Sequence, residues 1–199
     1  MKKISKYLAE FVGTFFLVLV VSLSISGNST VPTLLLAVST VGIFVYTVGH
    51  LSGAHFNPAI TLGALSIRKI SVKDAVIYWV AQFLAAGAAC LVATQLVDFN
   101  LNTPLDNNPM TYIGEAIGAF LFAFGVAAVI YGRVPKDVSG VAVAVSLMLG
   151  ISVASHFGNG ILNPAVAFGI NSFSPAYLVG PLVGAVLGMW AYKLVSEKR

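Results

Sequence analysis

The sequence predicts an all-α membrane protein: six transmembrane helices plus two re-entrant half-helices, arranged as an inverted three-span repeat. Three observations predict it. The 199 residues are 58% hydrophobic and 9% charged, with mean hydropathy +0.92. A soluble domain carries roughly 25% charged residues, so this chain cannot hide its apolar surface in a water-soluble core. The triplet Asn-Pro-Ala occurs twice, at Asn57-Pro58-Ala59 and Asn163-Pro164-Ala165, each inside apolar sequence. The eleven Lys and Arg fall in four places, separated by connections that carry none.

The elements follow in order. After Lys2, Lys3 and Lys6, span 1 covers about 7–25 and ends in a loop with Gly27 and Asn28. It contains Glu10 and lacks a small-residue cleavage site, so no cleavable leader is expected. Span 2 covers about 31–51, with Pro32 in its first turn. The first triplet opens a half-length helix that runs to about 67, closed by Arg68, Lys69 and Lys73. Span 3 covers about 74–96. A polar linker, 98–109, holds four Asn and two Asp. Span 4 covers about 110–131, and Arg133 and Lys136 mark the next loop. Span 5 covers about 138–155. The Gly-rich stretch 156–162 leads to the second triplet and a half-helix to about 172. Span 6 runs from Pro175 to about 195. A spanning helix takes about 20 residues, so six spans use ~120 and leave room for short loops. The whole of 1–199 reads as one domain, with repeat one at 1–97 and repeat two at 110–199.

The charges orient the chain. With six full spans, the four basic places share one face, which the positive-inside rule makes cytoplasmic together with both termini. The minimal loops suggest a bacterial or archaeal cell (inner) membrane. In such a chain the formal charge of +4 reads as topology, and no nucleic-acid partner is expected. The first half-helix then enters from the cytoplasm and the second from outside.

Each triplet reads as a helix start. Asn is a favoured N-cap, and Pro is favoured at the first helical position because its missing N–H would be unpaired there anyway. Helix starts at membrane depth are tolerated only where they line a cavity or are buried in protein, so two of them suggest a pore. Glu10-Phe11-Val12-Gly13 parallels Glu115-Ala116-Ile117-Gly118. Glu10 precedes Asn57 by 47 positions and Glu115 precedes Asn163 by 48. A duplicated three-span unit must invert, because an odd number of spans reverses direction. Transporters built this way place the site near the midplane, where broken helices meet.

These residues resemble the aquaporin (major intrinsic protein) family. The resemblance rests on Ala9-Glu10, Gly13-Thr14, Gly49-His50, the run from Ser52 to Ala59, Thr61, the second triplet, and Gly180-Pro181 and Gly184. It implies one pore per subunit, a homotetramer in the lipid bilayer, and passage of water and small neutral solutes. Backbone carbonyls of Gly53, Ala54, His55, Gly158, Asn159 and Ile161 are expected to form an acceptor ladder. Asn57 and Asn163 offer amide donors at the midplane, where the positive ends of the half-helices oppose cations. Both Asn could instead be helix caps alone. His55 is open between a structural and a pore-lining role. Glu10 and Glu115 read as structural acceptors for each half's non-helical backbone, or as relay groups of a proton-coupled carrier.

The chain departs from the family at its outer constriction. Members typically carry Arg just after the second triplet; here Val166 stands there. Carrying over the other filter positions gives Ala37, Ile151 and Gly160, a ring without charge, aromatic ring or side-chain donor. Solutes of glycerol or metalloid-hydroxide type are therefore expected beside water, although Ala167 is not the Asp of typical glycerol facilitators. Three His and one Cys, Cys90, form no zinc pattern, and HExxH and GxSxG are absent, so neither cofactor, metal nor enzyme is expected. A non-conducting homologue, closed by Phe56, Ile161 or Leu162, is the remaining alternative.

Overall fold

The computed structural model describes residues 2–97 and 108–196; of the expected linker 98–109, residues 98–107 lie outside them. Eight α-helices follow in order: α1 (Lys2–Leu23), α2 (Thr33–Ser52), α3 (Pro58–Ser66), α4 (Val72–Leu96), α5 (Pro109–Ile130), α6 (Ser139–Ala154), α7 (Pro164–Gly169) and α8 (Pro175–Ser196). Six of them are long and apolar enough to cross a membrane; α3 and α7 are the half-helices.

Their ends have local causes. α1 runs into a wider turn, Ser24–Asn28, and stops at Gly27, whose φ is 90°. The expectation for Pro32 is corrected. It is the residue before α2, not part of its first turn, because its ψ of 137° is extended. Ser71 caps α4 by accepting from the Asp74 N–H at 3.1 Å. α3 and α7 close alike. Arg68 (φ 62°) and Asn171 (φ 56°) adopt left-handed backbone, and Lys69 N–H and Ser172 N–H reach back to the Ala64 and Ala167 carbonyls at 2.8 Å. This reverse turn satisfies carbonyls at the end of each half-helix that would otherwise lack an intrahelical partner. It also ends α7 at Gly169, three residues short of the expected 172.

The packing is that of an inverted repeat. α1 lies on α2 and α4 as α5 lies on α6 and α8. α3 packs on α8 as α7 packs on α4, while α2 meets α6 and α3 meets α7 across the repeat axis. Lipid offers no hydrophobic drive between helices, so close contact depends on small residues. Ala85, Ala86, Ala89 and Ala93 of α4 are fully buried. In α8, Gly180, Gly184 and Gly188 face the carbonyls of Tyr112, Ala116 and Phe120 of α5, with no room for a Cβ. The outward faces carry leucines such as Leu84, Leu91, Leu149 and Leu194. That surface would be untenable in water and costs nothing in lipid.

The basic places share one face. Lys6 Nζ lies 2.8 Å from Asp74, and the Tyr7 hydroxyl donates to the same carboxylate at 2.7 Å. Lys69 sits 4.1 Å from the Tyr131 ring centre, and Tyr131 packs on Tyr192. These contacts join the start of α1, the α3–α4 connection and the ends of α5 and α8.

Candidate functional site

Asn57 has extended backbone (φ −154°, ψ 122°), and its Oδ1 accepts from Ala59 N–H at 2.8 Å. Asn163 repeats this, accepting from Ala165 N–H at 3.0 Å. Pro58 and Pro164 follow as the first helical residues. The two amides cross over. Asn57 Nδ2 donates to the Leu162 carbonyl at 2.8 Å, and Asn163 Nδ2 donates to the Phe56 carbonyl at 3.0 Å. The bonds tie the half-helices tip to tip. Each NH2 carries two donors, so each Asn keeps one N–H beyond the cross-bond. Both side chains border a cavity of about 700 Å3.

The non-helical segments before the triplets are held from behind. Glu10 is fully buried and accepts four bonds: from Ser52 Oγ (2.7 Å), His55 N–H (2.9 Å), Phe56 N–H (2.7 Å) and Gln82 Nε2 (2.9 Å). Glu115 accepts from Ile161 N–H at 2.8 Å and Leu162 N–H at 2.6 Å. His55 and Phe56 stand before Asn57 as Ile161 and Leu162 stand before Asn163. One turn after each Glu, a glycine makes room for the apolar residue before each Asn. A Cβ on Gly13 would lie 2.2 Å from Phe56 Cε1, and one on Gly118 would lie 2.7 Å from Leu162 Cδ2. Positive φ occurs at Ala54 and Phe56 and again at Gly160 and Leu162. Gly160 needs its hydrogen twice over, for φ 63° and because a Cβ would lie 2.8 Å from the Ile151 carbonyl.

Ala37, Ile151, Gly160 and Val166 all border the large cavity. So do His55, Asn159 and Ile161. Gly53 borders a second cavity of about 370 Å3, on the basic face. Ala54 and Gly158 border neither cavity, contrary to expectation. Gly158 is turned against Thr111, where a Cβ would lie 2.7 Å from the methyl group. Leu162 is buried between Gly118 and Gly150, while Phe56 and Ile161 reach the cavity wall. Neither Glu10 nor Glu115 borders either of these two cavities.

The sequence profile of the major intrinsic protein family matches residues 1–192. The chain belongs to that family. Relatives include aquaporin NIP1-1 of Oryza sativa subsp. japonica, 30% identical over 96% of this chain and 74% of that protein. Nodulin-26 of Glycine max is 32% identical over 96% of this chain and 78% of that one. Aquaporin AqpM of Methanothermobacter thermautotrophicus is 26% identical over 96% and 97%. Among solved structures, the aquaglyceroporin from Plasmodium falciparum superposes with a TM-score of 0.70 at 19% identity, over 98% of this chain and 96% of that one. That likeness carries the fold.

As a major intrinsic protein, the chain is a passive membrane channel for water and small solutes. Several wall residues of the cavity carry no sequence signal. Leu17 and Phe122, and Val41 and Leu147, are mates under the repeat and border the same cavity as the Asn pair. They look like any other apolar residues of a span. Gln82 did carry one: a buried amide in an apolar helix, donating to both Glu10 and Thr61.

Proposed function

We propose that this channel passes small uncharged solutes of glycerol or metalloid-hydroxide type as well as water, along a route that includes the large cavity. The observation that carries the reading is the uncharged ring Ala37, Ile151, Gly160 and Val166 around that cavity. A permeant that sheds water loses about 1–3 kcal/mol for each hydrogen-bonding group left without a replacement partner. Here the replacements are the free N–H groups of Asn57 and Asn163 and the turned backbone around Asn159, Gly160 and Ile161. An apolar ring costs a less polar solute less than it costs water or an ion.

Cations meet a barrier at the Asn pair. The N-terminus of α3 presents a positive dipole end there, and the amide donors add to it. α7 has six residues, fewer than two turns, so its dipole is the smaller. Glu10 and Glu115 act in this reading as anchors for the re-entrant backbone, since their oxygens are turned to N–H donors. A proton-coupled carrier would need them on the route. We read the chain as one channel domain without catalytic activity. It assembles as a homotetramer in the cell membrane with both termini cytoplasmic, as the shared basic face supports.

Stopped-flow swelling of proteoliposomes in water, urea and glycerol gradients tests the solute reading. Glycerol should pass, and Val166→Arg should narrow the solute range while leaving water. Fast water flux with glycerol excluded from the unaltered protein would refute it.

A further inference from the structure

Two cavities approach each other end to end. The larger reaches from Ser26 and Ser172 at the face opposite the basic one down to His55 and Asn57. The smaller opens among Lys69, Ser71, Asp74 and Tyr78 and also ends at His55. Among the residues that border them, His55 is the one common to both. We propose that the His55 side chain forms the neck of the route and sets the largest solute that passes, in place of the ring at Val166. This rests on the channel reading above.

Three observations support it. First, the ring of Ala37, Ile151, Gly160 and Val166 borders the larger cavity and holds no side chain bigger than that of Ile151, whereas the neck residue carries an imidazole ring. Second, the repeat relates those four positions to Val143, Val45, Ala54 and Ile60. Val143 is larger than Ala37, Ala54 than Gly160, and Ile60 than Val166; only Val45 is smaller than its mate. None of the four borders either cavity, so the basic-side half is closed in where its mate is open.

Third, the His55 ring is fixed. Its Nδ1 lies 3.1 Å from Thr61 Oγ1, its ring stands edge-on to Tyr78 at 5.3 Å, and its backbone N–H is held by Glu10. Nε2 points toward Gly53, which borders the smaller cavity: it lies 3.4 Å from where a Gly53 Cβ would be. In either tautomer Nε2 is a hydrogen-bonding atom. The repeat mate of His55 is Ile161, so a rigid polar ring stands on one side of the Asn pair only. Constrictions in series pass what the narrowest admits. A neck at His55 therefore sets the size limit as long as the ring at Val166 is the wider of the two.

The test compares protein-dependent water, glycerol and erythritol flux in proteoliposomes. His55→Ala should raise the glycerol-to-water ratio about tenfold, equivalent to about 1.4 kcal/mol off the glycerol barrier. His55→Phe should lower it. Should His55→Ala fail to assemble, His55→Asn, which keeps a polar group on a smaller side chain, should raise the ratio by a lesser factor. An unmoved ratio in an assembled variant with retained water flux overturns the proposal alone. So does Ile151→Ala raising the ratio as much as His55→Ala. Absence of any protein-dependent water flux from the unaltered chain overturns it together with the channel reading.

Discussion

Glu10→Gln separates an anchor from a proton relay. The carboxylate accepts Ser52 and His55 on Oε1 and Phe56 and Gln82 on Oε2. A glutamine keeps one acceptor oxygen and replaces the other with NH2. If the oxygen keeps Ser52 and His55, the new NH2 confronts the Phe56 N–H and the Gln82 amide. Two buried donors lose their acceptor. Each unsatisfied buried group costs about 1–3 kcal/mol, so the change costs about 2–6 kcal/mol. The loss falls on the segment whose Phe56 carbonyl receives Asn163, so it reaches the half-helix junction. Thermal unfolding of the purified protein in detergent is the assay, with proteoliposome flux beside it. The expected result is a clearly lower melting temperature, with reduced water and solute flux at every pH. An unchanged melting temperature, with loss only of uptake driven by a pH gradient, would refute the anchor role and favour a carrier.

Three further outcomes are expected. Gly184→Val drives a side chain into the Ala116 carbonyl and should separate α5 from α8, read as loss of assembled protein on size-exclusion chromatography. Asn163→Ala removes a cap worth about 1 kcal/mol and a donor at the midplane, so proton leak in a pH-dye assay should rise above that of the unaltered protein. Asp74→Asn breaks the pair with Lys6, whose side chains are 25% and 23% exposed, and stability should fall by less than about 1 kcal/mol, read as a small drop in melting temperature that added salt diminishes.

What could be read from the sequence was whatever broke the monotony of an apolar chain. Asn-Pro steps, Glu10, Glu115 and the clustered Lys and Arg stand out because each is costly in lipid and needs a reason. From these the spans, the half-helices and the inverted repeat follow, with most boundaries within two residues. The wall opposite the Asn pair was not legible. Leu17, Val41, Phe122 and Leu147 have the same chemistry as lipid-facing leucines, and only the packing distinguishes them. The end of α7 falls three residues before the expected 172 because the chain turns left-handed at Asn171, a backbone event that the residue types Gly169 and Asn171 permit without fixing its position. The neck at His55 required two cavities to be located, which spacing alone does not do.

Stopped-flow light scattering on proteoliposomes, with and without a proton ionophore, tests the central claim most directly. Passive conduction predicts protein-dependent water and glycerol fluxes that are the same whether or not a pH gradient is present. Flux that vanishes when the gradient is collapsed, or vesicles that swell no faster than protein-free ones, would contradict it.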